Sequence, residues 1–215
     1  RGPSGSGKSA LVERFLDQLE QGGRAQLLRA RCHERERLSR KGLHALADAL
    51  AVLLGGAPAE RVAALLPPDA AELTRLFPIL GNLAAPAPRH LPGQEMAARD
   101  RRALGALKQL VSQLAARAPL VLHLDDADDC DLESLRWFAA LGEAQERGAG
   151  ALLVILGYRS EEPDQGPLFD ELRRLIADEG VTVLCQTPTA FRHLIEADAR
   201  APRANRRWLR SSATR

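Results

Sequence analysis

Apolar residues recur every three or four positions at several places along the chain, and this spacing predicts amphipathic helices. The first helix is predicted over Lys8–Gln21, where the glycine pair that follows ends it. Four more helices are predicted downstream, at residues 43–53, 60–66, 70–80 and 94–118. Prolines separate the shorter helices, and the proline-rich stretch 84–93 predicts a loop.

Continuous apolar runs predict strands that are buried on both faces of a sheet. Such runs, or shorter apolar segments, occupy residues 25–32, 119–125, 151–158 and 181–184. Helices are predicted at 132–147, with Asp131 as the cap, and then at 168–178 and 189–199. Strands that alternate with helices are typical of a three-layer α/β domain with a parallel sheet, and this is the fold class that we predict.

A glycine-rich segment before the first helix matches the pattern GxxxxGK[ST] in full. It consists of Gly2, Pro3, Ser4, Gly5, Ser6, Gly7, Lys8 and Ser9, and Ala10 follows in the helix. Glycines let backbone N–H groups converge on phosphate oxygens, and the start of a helix adds partial positive charge. Lys8 is predicted to reach the β- and γ-phosphates of a nucleotide, and the Ser9 hydroxyl to ligate Mg²⁺. The alternative is a Gly/Ser-rich surface turn.

Two carboxylates lie side by side in the sequence at the end of the apolar run 119–125: Asp125 is its last residue, and Asp126 follows. Asp125 is predicted to hold Mg²⁺ through water, and Asp126 to orient or deprotonate an attacking water. The alternative is a strand-end turn that leads into a helix cap. A calcium loop is excluded because the glycine and the closing glutamate that it needs are missing at the required positions.

The next predicted strand is followed by Arg159. Because neighbouring parallel strands end at the same edge of a sheet, Arg159 is predicted to face the same crevice and to detect the γ-phosphate. The alternative is an ordinary surface arginine. Lys8, Asp126 and Arg159 are therefore the predicted catalytic residues.

The composition limits the partners that can be expected. The 215 residues include 30 basic and 28 acidic side chains, and the net charge of +2 does not predict nucleic-acid binding. No apolar run is long enough to span a bilayer and no secretory leader is visible, so we expect a cytoplasmic protein. Cys32, Cys130 and Cys185 lack metal-site spacing and are expected to be ordinary core residues.

Together these motifs resemble the STAND branch of the AAA+-like ATPases, and in particular the ATPase modules of large bacterial regulators and multidomain serine/threonine kinases. The resemblance covers roughly residues 2–177 and includes the stretches RCHERERLSRKGLHAL, AELTRLFPIL and LLVILGYRSEE. It implies a parallel sheet of strand order 5-1-4-3-2 and a signalling protein that is switched by ATP exchange or hydrolysis. It also implies that Lys8 and Ser9 are the Walker A residues, Asp125 and Asp126 the Walker B pair, and Arg159 the sensor residue.

The chain departs from that family pattern in two places. Only Arg1 precedes the phosphate loop, so we expect the first strand of the family to be missing. Asp128 and Asp129 stand where the family often has an aromatic residue after the acidic pair, which puts the local adenine or helix contact in doubt.

We assign residues 1–178 to a truncated ATPase domain with a helical insert at about 43–118, between its second and third strands. The segment 179–202 resembles part of the adenylation domains of nonribosomal peptide synthetases. It lacks the phosphate loop of that family, and no adenylation activity is expected. The Arg-rich tail, 203–215, is predicted to be disordered.

Three functions are compatible with these motifs. The first is Mg-dependent ATP binding with slow hydrolysis, in the switch module of a larger signalling or transcriptional regulator. Its partners would be other domains of that protein or like subunits. The second is a self-contained P-loop small-molecule kinase, and the third is an inactive fragment that no longer binds nucleotide. We expect the parent protein to bind Mg-ATP, and this chain alone to bind it weakly or not at all.

Overall fold

The computed structural model describes residues 7–33, 39–83, 96–145 and 151–158. Three strands and six α-helices alternate along these residues, and two short 3₁₀ helices lie at Pro78–Leu80 and Ala127–Asp129. In chain order the main elements are α1 (Lys8–Gln21), β1 (Gln26–Arg31), α2 (Lys41–Gly55), α3 (Ala59–Ala63), α4 (Ala70–Leu76), α5 (Met96–Arg117), β2 (Leu120–Asp125), α6 (Leu132–Gln145) and β3 (Leu152–Leu156).

The three strands form one parallel sheet in the order β1-β2-β3. The register places Arg31 of β1 opposite Asp125 of β2, and Leu124 of β2 opposite Leu156 of β3. A parallel sheet with helices is an α/β fold, so the predicted fold class is confirmed. The order also agrees with the 4-3-2 part of the strand order that the resemblance implies, since β1, β2 and β3 correspond to its strands 2, 3 and 4.

Side chains of the sheet alternate between two apolar clusters of unequal size. On one face, residues such as Leu28 and Leu122 pack with α2, α4, α5 and α6 in the main core. On the other face, Val121 packs with Val12 and Leu16 of α1. The central strand β2 is therefore covered on both sides, as its continuous apolar pattern predicted.

Most of the predicted helices and strands in the described part of the chain are present, with ends shifted by a few residues. The helix predicted over 70–80 is wrong in its second half. It breaks at Phe77, because Pro78 disfavours helical backbone in the residue before it, and a 3₁₀ turn follows. In α2 the buried face ends with Leu54, whereas Leu53, where the predicted helix ended, is only partly buried.

The four helices α2 to α5 lie between β1 and β2, where the helical insert was predicted. Other predictions fall outside the described residues: the loop 84–93, the helices 168–178 and 189–199, the strand 181–184, the segment 179–202 and the tail 203–215. The domain boundary at residue 178 also stays a prediction.

An ion-pair cluster holds α1 against β1. Arg29 of β1 contacts three carboxylates of α1, with Glu13 at 3.2 Å, Asp17 at 2.8 Å and Glu20 at 3.0 Å. Their spacing of four and three residues places these carboxylates on one face of the helix. The cluster therefore fixes how α1 lies over the sheet.

A second charged cluster joins the helices of the insert. Glu72 of α4 accepts hydrogen bonds from Arg99 of α5 at 3.0 Å and from Arg75 at 2.9 Å, and Arg75 contacts Asp100 at 2.5 Å. Burial opposes the charge on Glu72, but the hydrogen bonds from Arg99 and Arg75 outweigh it and lower the pKa of this carboxyl. The cluster is therefore built around an ionised carboxylate.

Gly42→Ala is expected to destabilise the fold by about 1–3 kcal/mol, because there is no room for the added methyl group. A Cβ at Gly42 would lie 2.5 Å from Cys130 Sγ and 2.9 Å from Ser134 Cβ. The matched control is Gly105→Ala in α5, where a Cβ meets nothing within 4 Å and the substitution is expected to stabilise by about 0.4–1 kcal/mol. Urea unfolding of both variants checks this, and equal effects would contradict it.

Glu72→Gln is expected to weaken the acid dependence of stability. Because the pKa of Glu72 is lower in the folded state, its stabilising contribution is present above about pH 4.3 and is lost as the pH falls. At neutral pH the variant should lose about 1–3 kcal/mol, since Arg99 loses a charged partner. Unfolding free energies between neutral pH and about pH 3 check this. Glu60→Gln, at an exposed position, is the control, and parallel pH curves for Glu72→Gln and the wild type would contradict the prediction.

Candidate functional site

The backbone turns at Gly7, where the predicted phosphate loop meets the start of α1. Gly7 precedes the helix in the left-handed conformation, with φ 81° and ψ 14°, which glycine adopts without steric cost. Lys8 and Ser9 then open α1, followed by Ala10. Amides in the first turn of a helix have no partner within the helix, so they point outward as donors. The rest of the predicted loop, Gly2, Pro3, Ser4, Gly5 and Ser6, lies outside the described residues.

Ser9 and Asp125 meet although 116 positions separate them in the sequence. The Ser9 hydroxyl donates a hydrogen bond of 3.2 Å to Asp125 Oδ1. Asp125 is the last residue of β2, and its side chain points to the face of the sheet that α1 covers. The structure thus brings together the two side chains that were predicted to ligate Mg²⁺.

The space for the Asp125 carboxylate depends on Gly157, just after β3. Gly157 continues the parallel ladder, because its N–H donates to Leu124 O at 2.8 Å and its carbonyl accepts from Ala127 N–H at 2.7 Å. A Cβ at this position would lie 2.7 Å from Asp125 Oδ1. The absence of a side chain at Gly157 therefore allows the carboxylate to turn toward Ser9. Sequence reasoning missed this residue, although its place at the end of the next strand was a usable signal.

Asp126 is held by an arginine that sequence reasoning did not identify. Both Nε and Nη2 of Arg31 lie 2.8 Å from Asp126 Oδ2. Asp126 itself is in the left-handed region, with φ 51° and ψ 48°, which is uncommon for a residue with a side chain. Arg31 ends β1 at the same edge of the sheet, so the rule that was applied to Arg159 would also have found it.

A buried histidine lies beneath this edge on the same face of the sheet. His123 is 2 % exposed, and its Nδ1 lies 3.6 Å from Glu13 Oε1 of α1. Burial lowers the pKa of His123, and the imidazole is therefore neutral near pH 7. Its Nε2 has no hydrogen-bond partner in the part of the chain that the structure describes. His123 contacts α1 rather than the acidic pair, so we place it in the support of the site.

The oxygen ligands at this edge fit a Mg²⁺ ion that arrives with a nucleotide. Mg²⁺ in proteins is commonly held by one or two oxygen side chains, with phosphates and water completing its octahedron. Ser9 and Asp125 supply two such oxygens side by side. Among the described residues no group of three or more His, Cys, Asp or Glu side chains could hold a metal ion by itself. The donor set therefore favours Mg²⁺ bound together with phosphate over a stand-alone metal centre.

Comparison with known proteins identifies the family. The family model described as an AAA ATPase domain matches residues 1–155, which include the phosphate loop and the acidic pair. The chain belongs to this family. Membership indicates nucleotide binding and hydrolysis by this AAA ATPase domain, and it supports the P-loop part of the predicted resemblance. Comparisons with curated proteins and with solved structures found no match.

Two features of this AAA ATPase domain bear on the remaining predictions. Arg159 lies beyond the matched residues and outside the described part of the structure, so its role stays a prediction. None of the helices in the described ranges is long and apolar enough to cross a membrane.

Gly157→Ala is expected to weaken Mg-dependent nucleotide binding about tenfold while changing stability by less than about 1 kcal/mol. The new methyl group would displace the free end of the Asp125 side chain, which can swing away from Ser9 at little cost. Gly56→Ala is the control, because a Cβ there meets nothing within 4 Å. Titration with a fluorescent ATP analogue, with and without Mg²⁺, together with urea unfolding, checks this. Unchanged affinity in Gly157→Ala would contradict it.

Proposed function

We propose that this chain binds ATP together with Mg²⁺ and hydrolyses it slowly, as the nucleotide-switch module of a larger signalling or transcriptional regulatory protein. The observation that carries the proposal is the hydrogen bond between Ser9 and Asp125. It joins the start of the phosphate-loop helix to the end of the central strand, where a nucleotide site in an open α/β sheet is expected. Family membership supports the same chemistry.

Each residue of the site has one task in this proposal. The outward amides after Gly7, with Lys8, would hold the phosphates. Ser9 Oγ and the Asp125 carboxylate would hold Mg²⁺, whose charge would offset that of the phosphates when it is bound. Asp126 would orient the attacking water and accept its proton at the carboxylate.

The geometry around Asp126 supports slow hydrolysis. Its Oδ2 accepts two contacts from Arg31, both at 2.8 Å, so this oxygen is occupied before any water approaches. For Asp126 to receive a proton from water, the guanidinium has to move aside or share the carboxylate. Arg159 is the predicted γ-phosphate sensor in this proposal, because the strand that precedes it ends at the same edge as Asp125 and Arg31.

The regulatory role rests on the STAND resemblance. In this role the chain is cytoplasmic and works beside other domains of a parent protein or like subunits. An ion-pair cluster links the helical insert to α6, because Arg40, just before α2, contacts both Asp100 of α5 at 3.1 Å and Glu133 of α6 at 2.9 Å. A short 3₁₀ helix joins the acidic pair to α6, so a movement of the insert would reach the site through this contact and that segment.

Lys8→Ala is expected to abolish ATP binding, because Lys8 is the residue predicted to reach the β- and γ-phosphates. Arg14→Ala is the matched control, since it removes one positive charge from an exposed position on the same helix. Equilibrium binding of a fluorescent ATP analogue is measured at high protein concentration and also on a longer form of the protein, because the chain alone is expected to bind weakly or not at all. Equal affinity in wild type and Lys8→Ala would contradict the proposal.

The same preparations separate a switch from a kinase. With γ-labelled ATP, the switch predicts slow release of inorganic phosphate without any acceptor, at the same rate when small metabolites are added. Transfer of label to a small metabolite would instead favour the alternative of a small-molecule kinase. No binding by the wild-type chain or by a longer form of the protein would favour the inactive fragment.

A further inference from the structure

Two cysteines meet on the face of the sheet opposite α1. Cys32 follows β1, and its N–H donates to Asp125 O at 3.1 Å, while Cys130 follows the acidic pair and its N–H donates to Ala127 O at 3.2 Å. Their side chains belong to the same apolar cluster and are 1 % and 9 % exposed. The two thiols are neighbours, and each is the largest single influence on the pKa of the other. The sequence predicted two unrelated core residues, 98 positions apart along the chain (130 − 32), and the fold makes them a pair.

The backbone around the two thiols is fastened from several sides. Lys41 Nζ donates to the carbonyl of His33 at 3.5 Å and to that of Asp129 at 3.3 Å, and these residues adjoin the two cysteines. Gly42 leaves the space that the Cys130 sulfur fills, since a Cβ there would lie 2.5 Å from Sγ. The proximity of the thiols is therefore set by the strand register, by a bridging ammonium and by close packing on α2.

The two sulfurs have different surroundings. The Cys32 thiol lowers the pKa of Cys130, with the backbone of Asp131 and the hydroxyl of Ser134 acting in the same direction and burial and the Asp131 charge opposing them. Cys130 and burial raise the pKa of Cys32. Both side chains are buried, and Cys130 is the more exposed of the two. An oxidant from solvent therefore meets Cys130 first, and Cys32 beside it is placed to resolve the oxidised sulfur.

We propose that Cys32 and Cys130 are a redox-active pair that closes to a disulfide when the protein meets a peroxide. Cys130 Sγ attacks one oxygen of hydrogen peroxide, so an S–O bond forms, the O–O bond breaks and the leaving hydroxide takes a proton to become water. Cys32 Sγ then attacks the sulfenic sulfur of Cys130, so the S–S bond forms and a second water leaves. The two thiols lose two electrons and two protons, and the peroxide is reduced to two waters.

The position of this disulfide gives it a consequence at the edge of the sheet. Arg31 immediately precedes Cys32, and Asp126 lies four positions before Cys130, so the new bond would fasten together the two segments that carry this ion pair. The sulfurs lie on the opposite face of the sheet from α1, outside the Ser9–Asp125 crevice. Disulfide formation therefore needs no nucleotide, and it can be measured whether or not the proposed ATP binding holds.

The test is a disulfide map of the full chain after treatment with hydrogen peroxide. The protein is quenched and denatured in acid, its free thiols are alkylated, and the peptides are analysed by mass spectrometry without reductant. The expected result is one cross-linked pair containing Cys32 and Cys130, in the wild type and in Cys185→Ser, which disappears after reduction. Free alkylated Cys32 and Cys130, or cross-links only through Cys185, would overturn the proposal.

Single variants test the two roles. Cys32→Ser should leave Cys130 to accumulate as sulfenic and then sulfinic acid, because nothing resolves it. Cys130→Ser should leave Cys32 as an unreacted thiol under the same treatment. The reverse pattern would overturn the assignment of the attacking thiol. The wild-type map requires no substitution, so a variant that fails to fold does not remove the test.

Discussion

The parallel pairing of β2 between β1 and β3 is the constraint on which the rest of this structure depends. Because the strands run in one direction, their carboxyl ends lie at one edge, and Arg31, Asp125 and Gly157 come together there. Because β2 is covered on both faces, its side chains have fixed sides. A slip of one residue would turn Asp125 into the main core and Leu124 toward α1, so the apolar pattern of the strand also sets the direction of the acidic group.

The helix that carries Ser9 is attached to this frame less firmly than the helices on the other face. Its apolar contact is a small cluster around Val12 and Leu16, whereas the main core joins the five helices α2 to α6. Arg29 adds a polar attachment through its three carboxylates, at partly exposed positions where each pair contributes about 0–1 kcal/mol. Local stability follows buried apolar contact, so α1 is held over the sheet less firmly than the helices of the main core.

The sequence was most informative where a residue pattern has one physical solution. The continuous run before Asp125 predicted a strand covered on both faces, which β2 is, and the glycine pattern before Lys8 predicted a phosphate loop where the structure has a left-handed Gly7. The predicted helix 70–80 was too long, because Pro78 already disfavours helical backbone at Phe77, the residue before it. Contacts such as Arg31 with Asp126 and Cys32 with Cys130 depend on which strands are neighbours and on their register. The sequence could place Arg31 at the edge of the sheet, but the register that pairs these side chains is not visible in a single sequence.

The ion pair between Arg31 and Asp126 is weak, so it favours one direction of the Asp126 carboxylate without locking it. The Arg31 side chain is 61 % exposed, and pairs of this kind contribute about 0–1 kcal/mol, so a competing charge can displace the guanidinium. The backbone of Asp126, in contrast, is strained, since a left-handed non-glycine residue costs roughly 1–2 kcal/mol. Two hydrogen bonds hold it in this conformation, from Ala127 N–H to the Gly157 carbonyl and from Asp129 N–H to the Asp126 carbonyl. A strained backbone with a loosely held side chain keeps the carboxylate at the edge of the sheet while leaving its direction adjustable. Asp126 requires this combination if its carboxylate is to exchange Arg31 for an attacking water.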